Sequence, residues 1–216
     1  MREKQWLACA DPEKMLNFLL DKVSDRKFRL YACACCRRTW RFLKDKRSRR
    51  AIEVSERFAD GEAAHEELLE AEGDAWDAAR GQGSGSKYEV AAWAASDIEV
   101  AIDGVPMQAV VVWGREKKRI EEIIALCEMV RDIFGNPFRP VRLGRAWLTP
   151  TVTNLAQSAY EERALPSGEL DPTRLAVLAD ALEEAGCDQP GLLSHLRGPG
   201  PHVRGCWALD LLLGKG

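Results

Sequence analysis

Three times the chain writes the same helix-start signal: Asp11-Pro12, Thr149-Pro150 and Asp171-Pro172. In each, a side-chain oxygen is placed to accept from first-turn amides. Proline follows at the one helical position where a missing N–H and a fixed φ are harmless. Apolar residues then recur at intervals of three and four. They are Met15, Phe18, Leu19 and Val23 after the first signal, and Val152, Leu155, Ala156, Ala159 and Tyr160 after the second. After the third come Leu175, Leu178, Ala179 and Leu182, with Gly186 as the stop. A chain punctuated in this way folds as short, separately capped helices.

The remaining segments agree. Ser24-Asp25 opens a helix expected to run to about Lys46, with Phe28, Tyr31, Cys35, Thr39 and Phe42 on one face and Arg26, Arg37, Arg41 and Lys44 on the other. Another starts near Ser48 and stops at Asp60-Gly61, and an acidic one follows over 62–80. Alanine-rich sequence after Tyr88 favours helix again. The stretch MQAVVVWG contains a β-branched run compatible with a short strand, and its context favours helix. Over 115–134, Ile120, Ile123, Ile124, Cys127, Val130 and Ile133 form an apolar stripe, ended by Gly135-Asn136-Pro137. A short helix over 191–196 and an almost wholly apolar one over 203–213 close the chain, the latter expected to be buried. The sum is an all-α fold of about ten helices joined by irregular Pro- and Gly-containing connections. It is expected to form a single helical domain over 1–216, with a flexible linker or loop at 81–86 and a candidate C-terminal subdomain at 136–216.

Several function classes lose support from the bulk properties. A net charge of −3 gives no general pull toward nucleic acid or anionic membranes. No apolar run approaches the ~20 residues that span a bilayer. The N-terminal MREKQWLACADPEK lacks the apolar core of a signal peptide, so a cytoplasmic location with seven reduced cysteines is expected.

Three constellations remain. Cys187, His195, His202 and Cys206 follow the spacing C-x7-H-x6-H-x3-C, a donor set suited to tetrahedral zinc. His202 and Cys206 are four apart, so a helix begun at Pro201 would put both on one face. The competing reading makes them a buried small thiol, a C-cap-adjacent thiol and two loop histidines that bond backbone groups, with Gly198-Pro199-Gly200-Pro201 a rigid turn orienting the last helix. Cys33 and Cys36 form a C-x-x-C inside a helix. Cys33, among Arg29, Arg37 and Trp40, is the candidate reactive thiol, against the plainer reading of small residues that allow close packing. The third is the basic segment 26–50, with eleven basic residues against one acid. Arg37, Arg41 and Lys44 offer a basic surface for phosphate backbones. Residues 60–80 carry eight acids against one base, so internal ion pairing is the more economical account.

The segments RLYACACCRRTW, DIFGNPFRPV, LADALEEAGC and RGPGPHVRGCWALDLLLGK resemble recurrent blocks in a large group of paralogous planctomycete proteins. The resemblance runs from Trp6 to the end and is weakest through 81–86. The stretch 179–186 is also similar to the A-D-x-L-E-E-x-G core of a bacterial repeat-companion domain. It departs from that domain at Ala181, where tryptophan is usual, and at Cys187, where aspartate is. The group has no established activity, so the resemblance implies lineage rather than chemistry. The expected role is a non-catalytic helical interaction or scaffold module with a protein partner and no cofactor. A metal-dependent or thiol-based enzyme, with zinc as the cofactor in the metal case, is the alternative. A nucleic-acid adaptor is the third reading.

Overall fold

The computed structural model describes residues 1–81, 86–96, 105–106, 110 and 116–215. Most of the MQAVVVWG stretch and of the 81–86 linker lie outside them. Among the described residues the fold is all-α. Eleven helices run α1 Glu3–Leu7, α2 Pro12–Leu19, α3 Asp25–Arg38, α4 Lys46–Ala59, α5 His65–Gly81, α6 Ser86–Ala95, α7 Glu116–Phe134, α8 Pro150–Glu161, α9 Pro172–Glu184, α10 Pro190–Leu196 and α11 Trp207–Leu213. The three Xaa-Pro signals act as the sequence indicates. Asp11, Thr149 and Asp171 each accept a first-turn amide, and proline follows.

Around α3 lies the first core. Its residues Phe28, Tyr31, Ala32, Cys33, Cys35 and Cys36 are buried against α2, α4, α6 and α7. Small side chains along α3 let those helices approach closely, the packing role expected for the C-x-x-C. A smaller, alanine-rich core joins α4, α5 and α6. A further core, built by α8 to α11, holds Leu175, Leu178, Leu182, Leu192, Leu196 and Leu209.

Two expectations change here. The helix opened at Ser24 ends at Arg38 instead of near Lys46: Thr39 turns its hydroxyl back to the Cys36 carbonyl, and a short 3-10 turn over Trp40–Phe42 follows. And α3 is not an amphipathic surface helix. It is buried on nearly every side, so its basic residues must be satisfied internally. Arg29 donates to the carbonyls of Ala94 and Ser96, Arg38 pairs with Glu122, and Arg37 pairs with buried Glu56.

Charged contacts also fasten the C-terminal helices to the rest. Asp60, fully buried as a side chain, follows α4 and accepts from Arg26, Arg204 and the Tyr160 hydroxyl, with Lys215 nearby. Arg26 also reaches Asp210 in α11, which Lys27 contacts as well. A second knot joins Arg163, after α8, to the Glu56–Arg37 pair. Asp210 explains how a helix that reads as apolar all round is held: its one acid points at two cations of α3. The close approach of this segment needs glycine at 205, where φ is +91° and a Cβ would stand 2.8 Å from a Leu30 methyl.

Candidate metal centre

His195 sits near the end of α10. The chain then turns through Gly198 to Pro201, passes His202 and Val203 in extended form, and enters α11 at Cys206. Residues 201–206 are not helical, which corrects the expectation that a helix begun at Pro201 would align His202 with Cys206. Extended backbone carries them instead: the His202 carbonyl accepts from Leu170 at 2.8 Å, and Val203 bridges Glu169. Gly200, at φ +82°, makes the turn possible, since a Cβ there would lie 2.8 Å from the His202 amide nitrogen.

Three of the four expected ligands meet. The fourth expected ligand, Cys187, does not. It follows the Gly186 turn into the C-terminal core, where its thiol is a packing group. Asp132 of α7 stands in its place. One donor atom each from Asp132, His195, His202 and Cys206 lies within 4.8 Å of the other three. Asp132 Oδ1 is 2.7 Å from His202 Nδ1 and 3.2 Å from His195 Nε2, and His195 Nε2 is 3.1 Å from Cys206 Sγ. A tetrahedral zinc site with ordinary bond lengths has donor–donor edges of roughly 3.3–3.6 Å. Modest spreading of the tight contacts and closing of the wide ones produces that figure.

The surroundings orient these donors. Asp132 Oδ2 accepts from the Val203 amide at 2.9 Å, which fixes the carboxylate. His202 Nε2 lies 3.2 Å from the Gly198 carbonyl, an acceptor only, so that nitrogen carries the proton. Nδ1 then faces a carboxylate, and the ring is satisfied either doubly protonated or with a metal ion in place of the Nδ1 proton. A ligating histidine whose second nitrogen donates to a backbone carbonyl is the usual arrangement at metal sites. The His195 ring packs edge-on against His202 and tilts over Trp207, which limits its rotation.

Electrostatics follow from burial and proximity. Burial disfavours an ionised Asp132, but hydrogen bonds from His195 and His202 outweigh it and hold the carboxyl below its usual range. Burial also opposes the His202 cation, and the Asp132 contact outweighs it and raises that ring's pKa. Cys206 is pushed well above the ordinary thiol value, first by burial and then by the Asp132 charge, with the amides of Leu209 and Ala208 pulling weakly the other way. The set is not a nucleophilic triad. His195 uses one nitrogen, Nε2, toward both cysteine and aspartate, whereas a triad needs its base to address them with opposite nitrogens.

The other candidate residues are placed apart from this cluster. Cys33 is fully buried, and burial, with the Glu56 charge beside it, pushes its pKa to about 12. That overturns its reading as a reactive thiol: it is neither accessible nor ionised. Of the proposed basic surface, Arg41 and Lys44 are exposed, but Arg37 is 4% exposed with its charge held by Glu56, so it cannot belong to that surface. Internal pairing accounts for more of the segment, since Arg50 reaches Glu70 and Asp74 of α5. No family model, curated protein or solved structure matches the chain. No helix among the described residues is long and apolar enough to cross a membrane.

Proposed function

We propose that the protein is a non-catalytic helical scaffold module fastened by one divalent ion of the zinc class, held by Asp132, His195, His202 and Cys206. The observation that carries this reading is the convergence of four donor atoms, one from α7 and three from the 195–206 segment, within 4.8 Å of one another. Charge supports it. A carboxylate, a thiolate and two neutral imidazoles neutralise a dication, which suits a buried site. Donor chemistry supports it too: one sulfur, two imidazole nitrogens and one oxygen match zinc better than magnesium or calcium, which prefer oxygen sets. Four protein ligands complete a tetrahedron and leave no position for water or substrate, so the ion's role is structural. It would tie α7, on the α3 core, to α10 and α11 of the C-terminal core.

The test is metal content and cobalt substitution. Protein produced with zinc in the medium and purified without chelators should carry about one equivalent. The cobalt form should show the visible bands of a tetrahedral ion and a sulfur-to-cobalt charge-transfer band. Cys206→Ser should remove the charge-transfer band, and His65→Ala, at an exposed histidine outside the cluster, should leave both features intact. Protein that takes up neither zinc nor cobalt while remaining folded would overturn the proposal.

A further inference from the structure

Beside His195 a cleft of about 540 Å³ opens between the α3 core and the C-terminal core. Helices α1, α2 and α7 form one wall, and the 135–141 connection, α10 and α11 form the other. Most of the surface is apolar, supplied by Leu7, Phe134, Val141 and Trp207, with Trp6 and Leu19 fully buried behind it. The polar part is one-sided: Lys22, Arg131 and Arg139 with His195, and no acid. Arg139 is answered from outside the cleft by Glu3. Arg131 is different. Its Nη2 donates to the carbonyls of Trp6, Leu7 and Cys9, and its buried Nε has no acceptor. Three carbonyl dipoles do not cancel a full charge, and an unmatched buried donor is among the costliest features a fold retains. Arg131 also borders a second cavity of about 280 Å³ around Asp132 and His202, so it stands in the wall between the cleft and the metal-centre residues.

We infer that this cleft binds a small organic anion, a carboxylate with an apolar body, its head group at Arg131 and its body against Phe134, Val141 and Trp207. A volume of this size, mostly apolar lining and a few convergent polar groups are the usual make-up of a small-molecule site, and such sites favour junctions between cores. The guanidinium selects a carboxylate over a neutral head group because it offers a charge-assisted hydrogen bond. Lys22, at the mouth, adds attraction for the same sign of charge. None of this requires a metal ion, so the inference stands or falls separately from the reading above.

The experiment is isothermal titration of the whole protein with decanoate and with decan-1-ol, a probe pair of equal chain length that differs in the head group. Decanoate should bind saturably, and the alcohol at least about tenfold more weakly, because it forfeits the charge-assisted bonds. Gly191→Trp plugs the cleft: a Cβ at Gly191 meets open space, so the fold is kept while the ring occupies the wall. It should weaken decanoate by at least about tenfold, the factor expected when apolar contact is blocked. Arg131→Gln should do the same. Should that variant fail to fold, since three carbonyls depend on Arg131, the alcohol comparison and Gly191→Trp carry the test alone. Equal binding of acid and alcohol, undiminished binding by folded Gly191→Trp, or no saturable binding of decanoate overturns the inference.

Discussion

Replacing Glu56 by glutamine should be among the most destabilising single-atom changes in this protein. Glu56 is 2% exposed and accepts four hydrogen bonds, two from Arg37 and two from Arg163. The substitution keeps the shape, removes the charge and turns one acceptor into a donor that faces a guanidinium. Arg37 is left buried without a counter-charge, with one amide oxygen and the Pro166 carbonyl, 3.0 Å away, as acceptors. Removing one partner of a buried ion pair costs about 3–5 kcal/mol, most of it the penalty of the stranded charge. For a chain of this length that lowers the melting temperature by about 6–20 °C. Urea unfolding followed by tryptophan fluorescence checks it, with an unchanged slope required so that the midpoint reports stability alone. Asp77→Asn, which breaks the exposed Arg80–Asp77 pair, is the control and should not move the midpoint measurably. Adding Arg37→Met to Glu56→Gln should recover much of the loss, because the stranded charge goes with it. A loss below about 1 kcal/mol would refute the reasoning, since it would mean that Arg37 is already solvated without Glu56.

Three further outcomes are expected. The carboxyls of Glu56 and Asp60 sit below their ordinary values because, although burial opposes ionisation, the hydrogen bonds and charges of Arg37 and Arg163, and of Arg204, Tyr160 and Arg26, more than offset it. Their stabilisation is therefore present above the normal carboxyl range and is lost as pH falls below about 4; melting temperature against pH should drop there, and less steeply in Asp60→Asn, whose remaining loss comes from Glu56 and the other depressed carboxyls, Asp132 among them. Of the seven cysteines, only partly buried Cys9 should react readily with an aromatic disulfide reagent in the native protein, and all seven should react in denaturant; rapid native labelling of Cys33 or Cys36 would contradict their burial. Gly200→Ala forces a side chain into a positive-φ turn against the His202 amide and should cost roughly 1–2 kcal/mol in urea; it should also weaken cobalt binding, and wild-type behaviour in both measurements would show that the turn does not position His202.

What could be read from the sequence was local. Capping at Asp11, Thr149 and Asp171 involves residues two or three apart, so the start signals identify α2, α8 and α9 closely. The misreading of α3 has a non-local cause. Its arginines look like a solvated face because a charge normally faces water, and the acids that internalise them lie far along the chain. Glu56 is 19 residues from Arg37, Glu122 is 84 from Arg38, and Asp210 is 184 from Arg26. Nothing in a window of one helix distinguishes a buried, paired arginine from a hydrated one. The break after Arg38 is equally quiet, marked only by a Thr39 hydroxyl returning to the Cys36 carbonyl.

The same limit applies to the candidate metal centre. His195, His202 and Cys206 lie within eleven residues of one another and were legible as a group, whereas Asp132 was not, and the reason lies in α7. Counting isoleucines sets the inner stripe through Ile120 and Ile124, yet these are 54% and 48% exposed. Cys127, Val130 and Ile133 are buried as the stripe expects, but the buried face also takes in Glu122, Leu126, Met129 and Asp132 in place of Ile120 and Ile124. Centring the face there moves two acids from the outside to the inside. Each then demands a partner, because a carboxylate is not buried unpaired. Glu122 finds Arg38, a cation. Asp132 pairs with no arginine or lysine among the described residues; it meets two histidines, the Val203 amide and a neighbouring thiol. Two carboxylates on one helix face thus met different fates: the first closes an ion pair with Arg38, and the second sits among the four donors proposed to hold a divalent cation.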